Sequence, residues 1–179
     1  MVESRRIFYS VIAGLLTGII ASIIIAIRIN GMFASFIQDL VYHQLLAQGI
    51  SSSKALEIAE QTAESIGSLT WLFYVGPIIN MLFLGAILGI VLDLLVKKVK
   101  LNPSIASIIT GLILIFLLQL LPIYALNSLY GQWFINILNK YIGLWIILTP
   151  SIIYTFLLTL FNTIRGPWIK WGEAKPEKY

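Results

Sequence analysis

WLFYVGPIINMLFLGAILGIVLDLLV, the stretch from Trp71 to Val96, decides the fold. A helix needs about 20 mostly apolar residues to cross a hydrocarbon core of about 30 Å, and this run exceeds that length while carrying a single charge, Asp93, near its end. Three other runs meet the same requirement: Ile7 to Ile27, Ser104 to Leu126 and Tyr141 to Ile164. The expected fold is an all-α integral membrane protein of one domain, with four transmembrane helices in a bundle. The spans lie at about 7–27, 71–96, 104–126 and 141–164, joined by an external helical loop, 28–70, and followed by a tail, 165–179.

Composition agrees with this reading. Hydrophobic residues make up 59% of the 179-residue chain and charged residues only 11%, against about 25% charged in an average soluble domain. Mean hydropathy is +0.92. A soluble domain is thereby excluded. The chain has no cysteine, which removes disulfides, thiolate metal sites and Cys nucleophiles from consideration. The first apolar run is longer than a signal-peptide core and ends in Ile25-Ala26-Ile27-Arg28 without a small-x-small cleavage pattern, so it reads as a retained span.

Orientation follows from the cations, because Lys and Arg in short loops stay on the cytoplasmic side. With the N-terminus inside, that side holds Arg5, Arg6, Lys97, Lys98, Lys100, Arg165, Lys170, Lys175 and Lys178, and the outside holds only Arg28, Lys54 and Lys140. Nine against three predicts both termini in the cytoplasm, in the plasma membrane. The net charge of +4 then needs no nucleic-acid partner, since anionic lipid head groups meet the inner cations.

The connections differ in kind. Asn102-Pro103 stops one helix and starts the next, so the second and third spans are expected as antiparallel neighbours. Asn127 to Lys140 carries Tyr130, Trp133 and Phe134 and reads as a short interfacial helix. The loop 28–70 holds two helices. One runs from Met32 to Ala47, with Phe33, Phe36, Ile37, Leu40 and Val41 on its apolar face. The other runs from Ser53 to Ile66, with an apolar stripe of Leu56, Ala59, Ala63 and Ile66, serine N-cap candidates before it and Gly67 at its end. Glu57, Glu60 and Glu64 face away from that stripe and read as a solvated surface rather than a metal site.

Three groups of residues are candidates for function. Gly14, Gly18, Ser22 and Ala26 recur every four residues in the first span, Gly85 and Gly89 do so in the second, and Ser107 and Gly111 in the third. Such faces let helix backbones approach closely, either within one chain or between subunits. Asn80 and Gln119 place side-chain amides at membrane depth, where each must find a hydrogen-bonding partner on another helix or in a polar cavity. Tyr154 is a third candidate for that cavity, and Pro77 and Pro150 each free a backbone carbonyl beside it. Asp39 and His43, one helical turn apart, form a candidate pair on the external face. Asp93 is expected to pair with Lys97 at i,i+4.

A nine-residue match, Ile12 to Ile20 with Ile105 to Ile113, shares five identities, and Trp71 with Gly76-Pro77 echoes Trp145 with Thr149-Pro150. A duplicated two-helix unit would explain both. No catalytic residues, metal ligands or cofactor are expected, because one histidine and no cysteine leave little for acid-base, metal or haem chemistry. The expected function is that of an accessory, assembly or scaffold subunit, with the lipid bilayer and either further copies or other membrane subunits as partners. The alternative is a small-molecule transporter or substrate-binding membrane component with a neutral polar cavity.

Overall fold

The computed structural model describes residues 4–29 and 31–164; the tail 165–179, with Arg165, Lys170, Lys175 and Lys178, lies outside the described residues. Among those residues the chain is all helix, without a strand. The helices are α1 (Ser4–Ile29), α2 (Phe33–Ala47), α3 (Ser52–Gly67), α4 (Thr70–Lys97), α5 (Pro103–Ile115), α6 (Leu121–Tyr130), α7 (Gln132–Tyr141) and α8 (Leu144–Thr163). Three of them, α1, α4 and α8, are long and apolar enough to cross a membrane. Large side chains such as Phe83, Phe116 and Phe156 stand more than half exposed on their outer faces, which suits a lipid solvent and not water.

The stretch expected as one regular span at 104–126 is built differently. α5 passes through a π-helical turn, Phe116–Leu120, directly into α6, so the backbone stays helical from Pro103 to Tyr130. Pro122 accounts for the turn: its ring cannot donate and crowds the preceding carbonyls, and a widened turn absorbs both effects. The run expected at 141–164 also starts later. Tyr141 closes α7, and the chain turns at Gly143, whose φ of +89° favours glycine, before α8 begins. Asn102 starts α5 with Pro103 behind it, accepting a hydrogen bond from the Ser104 amide at 3.1 Å.

Helices α1, α4, α5 and α8 pack on one another. α1 packs along α4 and also on α8, α5 packs on α8, and α4 with α5 makes the sparsest of these contacts. Ala13, Met81, Leu88, Leu92, Ala106, Leu114, Tyr154 and Leu158 form the shared core. A second core gathers Ile29, Phe33, Phe36, Ile137 and Tyr141, where α2 and α7 cover the far end of α1. Within α2 the phenylalanines lie inward as the apolar face requires. In α3 the buried ridge is Ala55, Ala59 and Ala63, while Leu56 is exposed. Three alanines four residues apart let α2 sit close, and Leu56 falls one residue off that ridge.

The small-residue faces are filled from within the chain. A Cβ on Gly14 would collide with the Met81 carbonyl oxygen, and one on Gly18 would lie 2.6 Å from Ile78 Cα. From the other side, a Cβ on Gly85 would lie 2.6 Å from the Ser10 carbonyl oxygen and one on Gly89 2.8 Å from Ile7 Cα. The Ser22 hydroxyl donates to the Tyr74 carbonyl at 2.5 Å, and Ala26 is half-buried on the same helix. Gly111 meets the Thr155 side chain of α8. Ser107, fully buried, donates back to the Pro103 carbonyl at 2.8 Å.

These contacts predict a sharp contrast among glycines. Gly14→Leu or Gly85→Leu should lower stability by about 1–3 kcal/mol or more, since backbone faces backbone and neither side can yield. Gly76→Ala, where nothing lies within 4 Å of the added carbon, should leave stability unchanged or raise it by up to about 1 kcal/mol. Thermal unfolding of the three variants in one detergent measures the difference.

Candidate functional site

Asn80 and Gln119, far apart in sequence, line one cleft. Its walls come from Ala21 and Ile25 of α1, Pro77, Asn80, Met81 and Leu84 of α4, Leu114 and Gln119 of the α5 rod, and Pro150 of α8. The volume is about 310 Å³, at the lower end of the range of small-molecule sites. Helix register explains why the amides meet. α4 and α5 are antiparallel about a short turn, and Asn80 and Gln119 each lie about 25 Å from that turn at 1.5 Å per residue. Both helix prolines expected beside a cavity, Pro77 and Pro150, are on its wall.

The polar groups around the cleft are unequally satisfied. Gln119 lies in the π-helical turn and donates through Nε2 to the Ile147 carbonyl of α8 at 2.8 Å. A carbonyl accepts only, so the amide orientation is fixed, and Oε1 is the group left over. That oxygen is buried and has no partner among the described residues. Thr17 Oγ1, one turn from Ala21, and Ser151 Oγ, next to Pro150 in sequence, are also buried without partners. Asn80 is exposed.

Tyr154 does not join the amides. It is fully buried in the bundle core, its hydroxyl 2.5 Å from Ser10 Oγ, which in turn lies 2.6 Å from the Gly85 carbonyl oxygen. The Ser10 proton goes to the carbonyl, so Tyr154 donates to Ser10. The three groups tie α8, α1 and α4 together, and the tyrosine acts as a strut rather than a cavity wall.

Beyond it, at the end of α4, Asp93 is 2% exposed and bridges two cations. Arg6 approaches at 2.9 Å and Lys97 at 3.3 Å. Lys97 is the i,i+4 partner expected from sequence, whereas Arg6 comes from a helix 87 residues away. Two cations offset the desolvation of one buried carboxylate better than one does.

At the opposite end Asp39 turns away from His43. Its carboxylate accepts from Lys140 at 2.6 Å and from the Tyr141 hydroxyl at 2.8 Å, so it clamps α2 to α7. Burial works to raise the Asp39 pKa, but the two hydrogen bonds and the Lys140 charge outweigh it and hold the carboxyl below its ordinary value, with His43 adding a smaller effect. Hydrogen bonding to Asp39 first, and then to Tyr141, pushes Lys140 up to about 12. His43 instead packs edge-on against Trp133 of α7, with Nδ1 buried and unpartnered. The i,i+4 spacing that suggested the pair is overridden by tertiary partners that the local sequence does not show. Among the described residues no cluster of three His, Asp or Glu side chains is placed to hold a metal ion.

Ser10, Arg6, Lys140 and the Ile147 carbonyl therefore belong to these arrangements without having been readable as partners. The π-helical turn had one signal in the sequence, Pro122 inside an apolar run. Comparison with known protein families, with curated proteins and with solved structures finds no match for this chain.

The clamp predicts a defined pH window. Asp39 has a lowered pKa, so its contribution is complete above the ordinary value of 3.8 and is lost as pH falls through the folded value. Lys140 is raised from 10.5 to about 12, so its contribution is complete below 10.5 and is lost as pH climbs through about 12. Amide hydrogen exchange of α7, corrected for intrinsic rates, should show constant protection between those limits and loss outside them. Asp39→Asn should reduce protection inside the window and flatten the profile.

Proposed function

We propose that the chain crosses the plasma membrane four times with both termini in the cytoplasm, and that it is a substrate-binding or transport component acting on a small neutral molecule. The observation that carries the function is the meeting of Asn80 and Gln119 in one cleft between the proline-bearing helices. Amides at this depth are costly unless something receives their hydrogen bonds, and prolines and a π-helical turn supply irregular backbone where a cavity, not lipid, lies beside it. The cleft is lined from both tightly packed pairs, α1 with α4 and α5 with α8, the kind of interface at which transporters built from repeats hold substrate.

The fourth crossing is the rod from Pro103 to Tyr130, about 40 Å long at 1.5 Å per residue. Among the described residues, Arg5, Arg6, Lys97, Lys98 and Lys100 lie at the end marked by the Asp93 bridge, and Arg28, Lys54 and Lys140 lie at the other. That asymmetry supports the inward termini. Because the protein lacks cysteine, single cysteines introduced at Lys54 and Lys98 report sidedness directly. An impermeant maleimide added to intact cells should label the first and not the second; the reverse pattern would overturn the topology.

A second reading, the accessory or scaffold subunit, rests on the α2–α3 hairpin. Glu57, Glu60 and Glu64 are all exposed along α3, and a basic partner would find them there. The glycine faces cannot serve this purpose, because they are occupied within the chain. Native mass spectrometry separates the two readings. Release at low detergent should retain a small noncovalent mass that Leu84→Trp, which fills the cleft, removes. A co-purifying protein with no such mass would instead favour the scaffold.

A further inference from the structure

The geometry points to a more specific ligand: we infer that the cleft takes a single-chain membrane-dissolved amphiphile with a neutral hydroxyl head, entering sideways from the bilayer between α4 and the α5 rod. This rests on the binding reading above and adds the chemical class and the route.

The class follows from the hydrogen-bonding inventory. Gln119 gives one of its two amide protons to the Ile147 carbonyl, and the atom of its side chain that is buried without a partner is an acceptor, Oε1. A ligand that satisfies it must donate a proton, as a hydroxyl does and an ether or ester does not. Asn80, exposed on the facing helix, has an amide N–H₂ to give to the oxygen of the same hydroxyl. Among the described residues no cation or carboxylate is on the cleft wall, so a charged head would be desolvated without a counter-charge. A neutral alcohol meets all three conditions.

The apolar part follows from position. Met81, Leu84 and Leu114 lie on the side of the amides nearer the α4–α5 turn, and they supply hydrocarbon wall below a polar rim. A head at Asn80 and Gln119 therefore directs its tail toward the turn, the same sense as a lipid whose head lies at the far surface. About 310 Å³ takes the head and upper part of one chain, leaving the rest in lipid, and falls well short of a two-chain phospholipid. The route is set by packing. α4 and α5 are consecutive yet make the sparsest contact of the four pairs α1–α4, α1–α8, α5–α8 and α4–α5, and the π-helical turn carries the exposed Phe116, Leu117 and Leu120.

The test uses the full chain in phosphatidylcholine vesicles with three diazirine-tagged probes of equal chain length: hexadecanol, its methyl ether and hexadecanoic acid. On illumination, hexadecanol should label the peptides containing Met81 and Leu114 about tenfold more than the ether, the worth of one well-placed hydrogen bond, and the acid should label them least. Gln119→Leu should bring the alcohol down to the ether level. Since that change also removes the tie to α8, Asn80→Leu, which breaks no side-chain hydrogen bond among the described residues, is the second variant and should lower alcohol labelling severalfold. Equal labelling by alcohol and ether, unaffected by either variant but blocked by Leu84→Trp, would overturn the hydroxyl assignment and leave a binding cleft standing. Absence of labelling by every probe, with a water-soluble mass still retained in native mass spectrometry, would overturn the lipid class and the lateral route alone. Absence of both would overturn this inference together with the reading beneath it.

Discussion

The close backbone contact between α1 and α4 is the constraint from which the other arrangements follow. In lipid there is no hydrophobic force to press helices together, so packing and hydrogen bonds must do so. Four glycines, Gly14, Gly18, Gly85 and Gly89, remove the side chains that would hold the two helices apart. Their reciprocal fit admits one register. That register brings Ser10 to the Gly85 carbonyl, Ser22 to the Tyr74 carbonyl and Arg6 to Asp93. Tyr154 then fixes α8 onto the same pair through Ser10.

Much of this architecture is written in local features. The limits of α2 and α3 follow from apolar periodicity and the α4–α5 turn from Asn102-Pro103, while the short helix expected from Asn127 to Lys140 is divided at Gly131 between the end of α6 and α7. What the sequence conceals is partnership across distance. Asp39 has His43 one turn away, yet it pairs with Lys140 and Tyr141, about a hundred residues on. Asp93 gains Arg6 for the same reason. Small-residue spacing marks a close contact without naming its partner, so only the folded chain assigns those faces to its own helices. Asn80 and Gln119 were separately conspicuous as amides in apolar runs, while their shared depth became apparent once α4 and the α5 rod were set antiparallel. Tyr154 looked equivalent on composition, and burial gave it a different role.

The two ends of the bundle differ in chemistry. Around Asp93 the contacts are ionic, with a carboxylate held between two cations and nearly excluded from solvent. Around Asn80 and Gln119 they are neutral, with unpaired acceptors, two prolines and a widened helical turn. The paired charges and the unpartnered neutral groups thus lie at opposite ends of these helices, leaving the amide end with the less complete set of internal bonds.

That asymmetry has a mechanical consequence. The short turn before Pro103 fastens α4 to the α5 rod at one extremity, where the Arg6–Asp93–Lys97 bridge also holds α4 to α1, as a pin fastens the arms of a pair of tongs. Displacement about a pin grows with distance from it. A rotation of about 5° there carries Asn80, about 25 Å along the arm, through about 2 Å. Leverage of this size converts an angular change too small to break an ion pair into a change in width comparable to a methyl group at the amides.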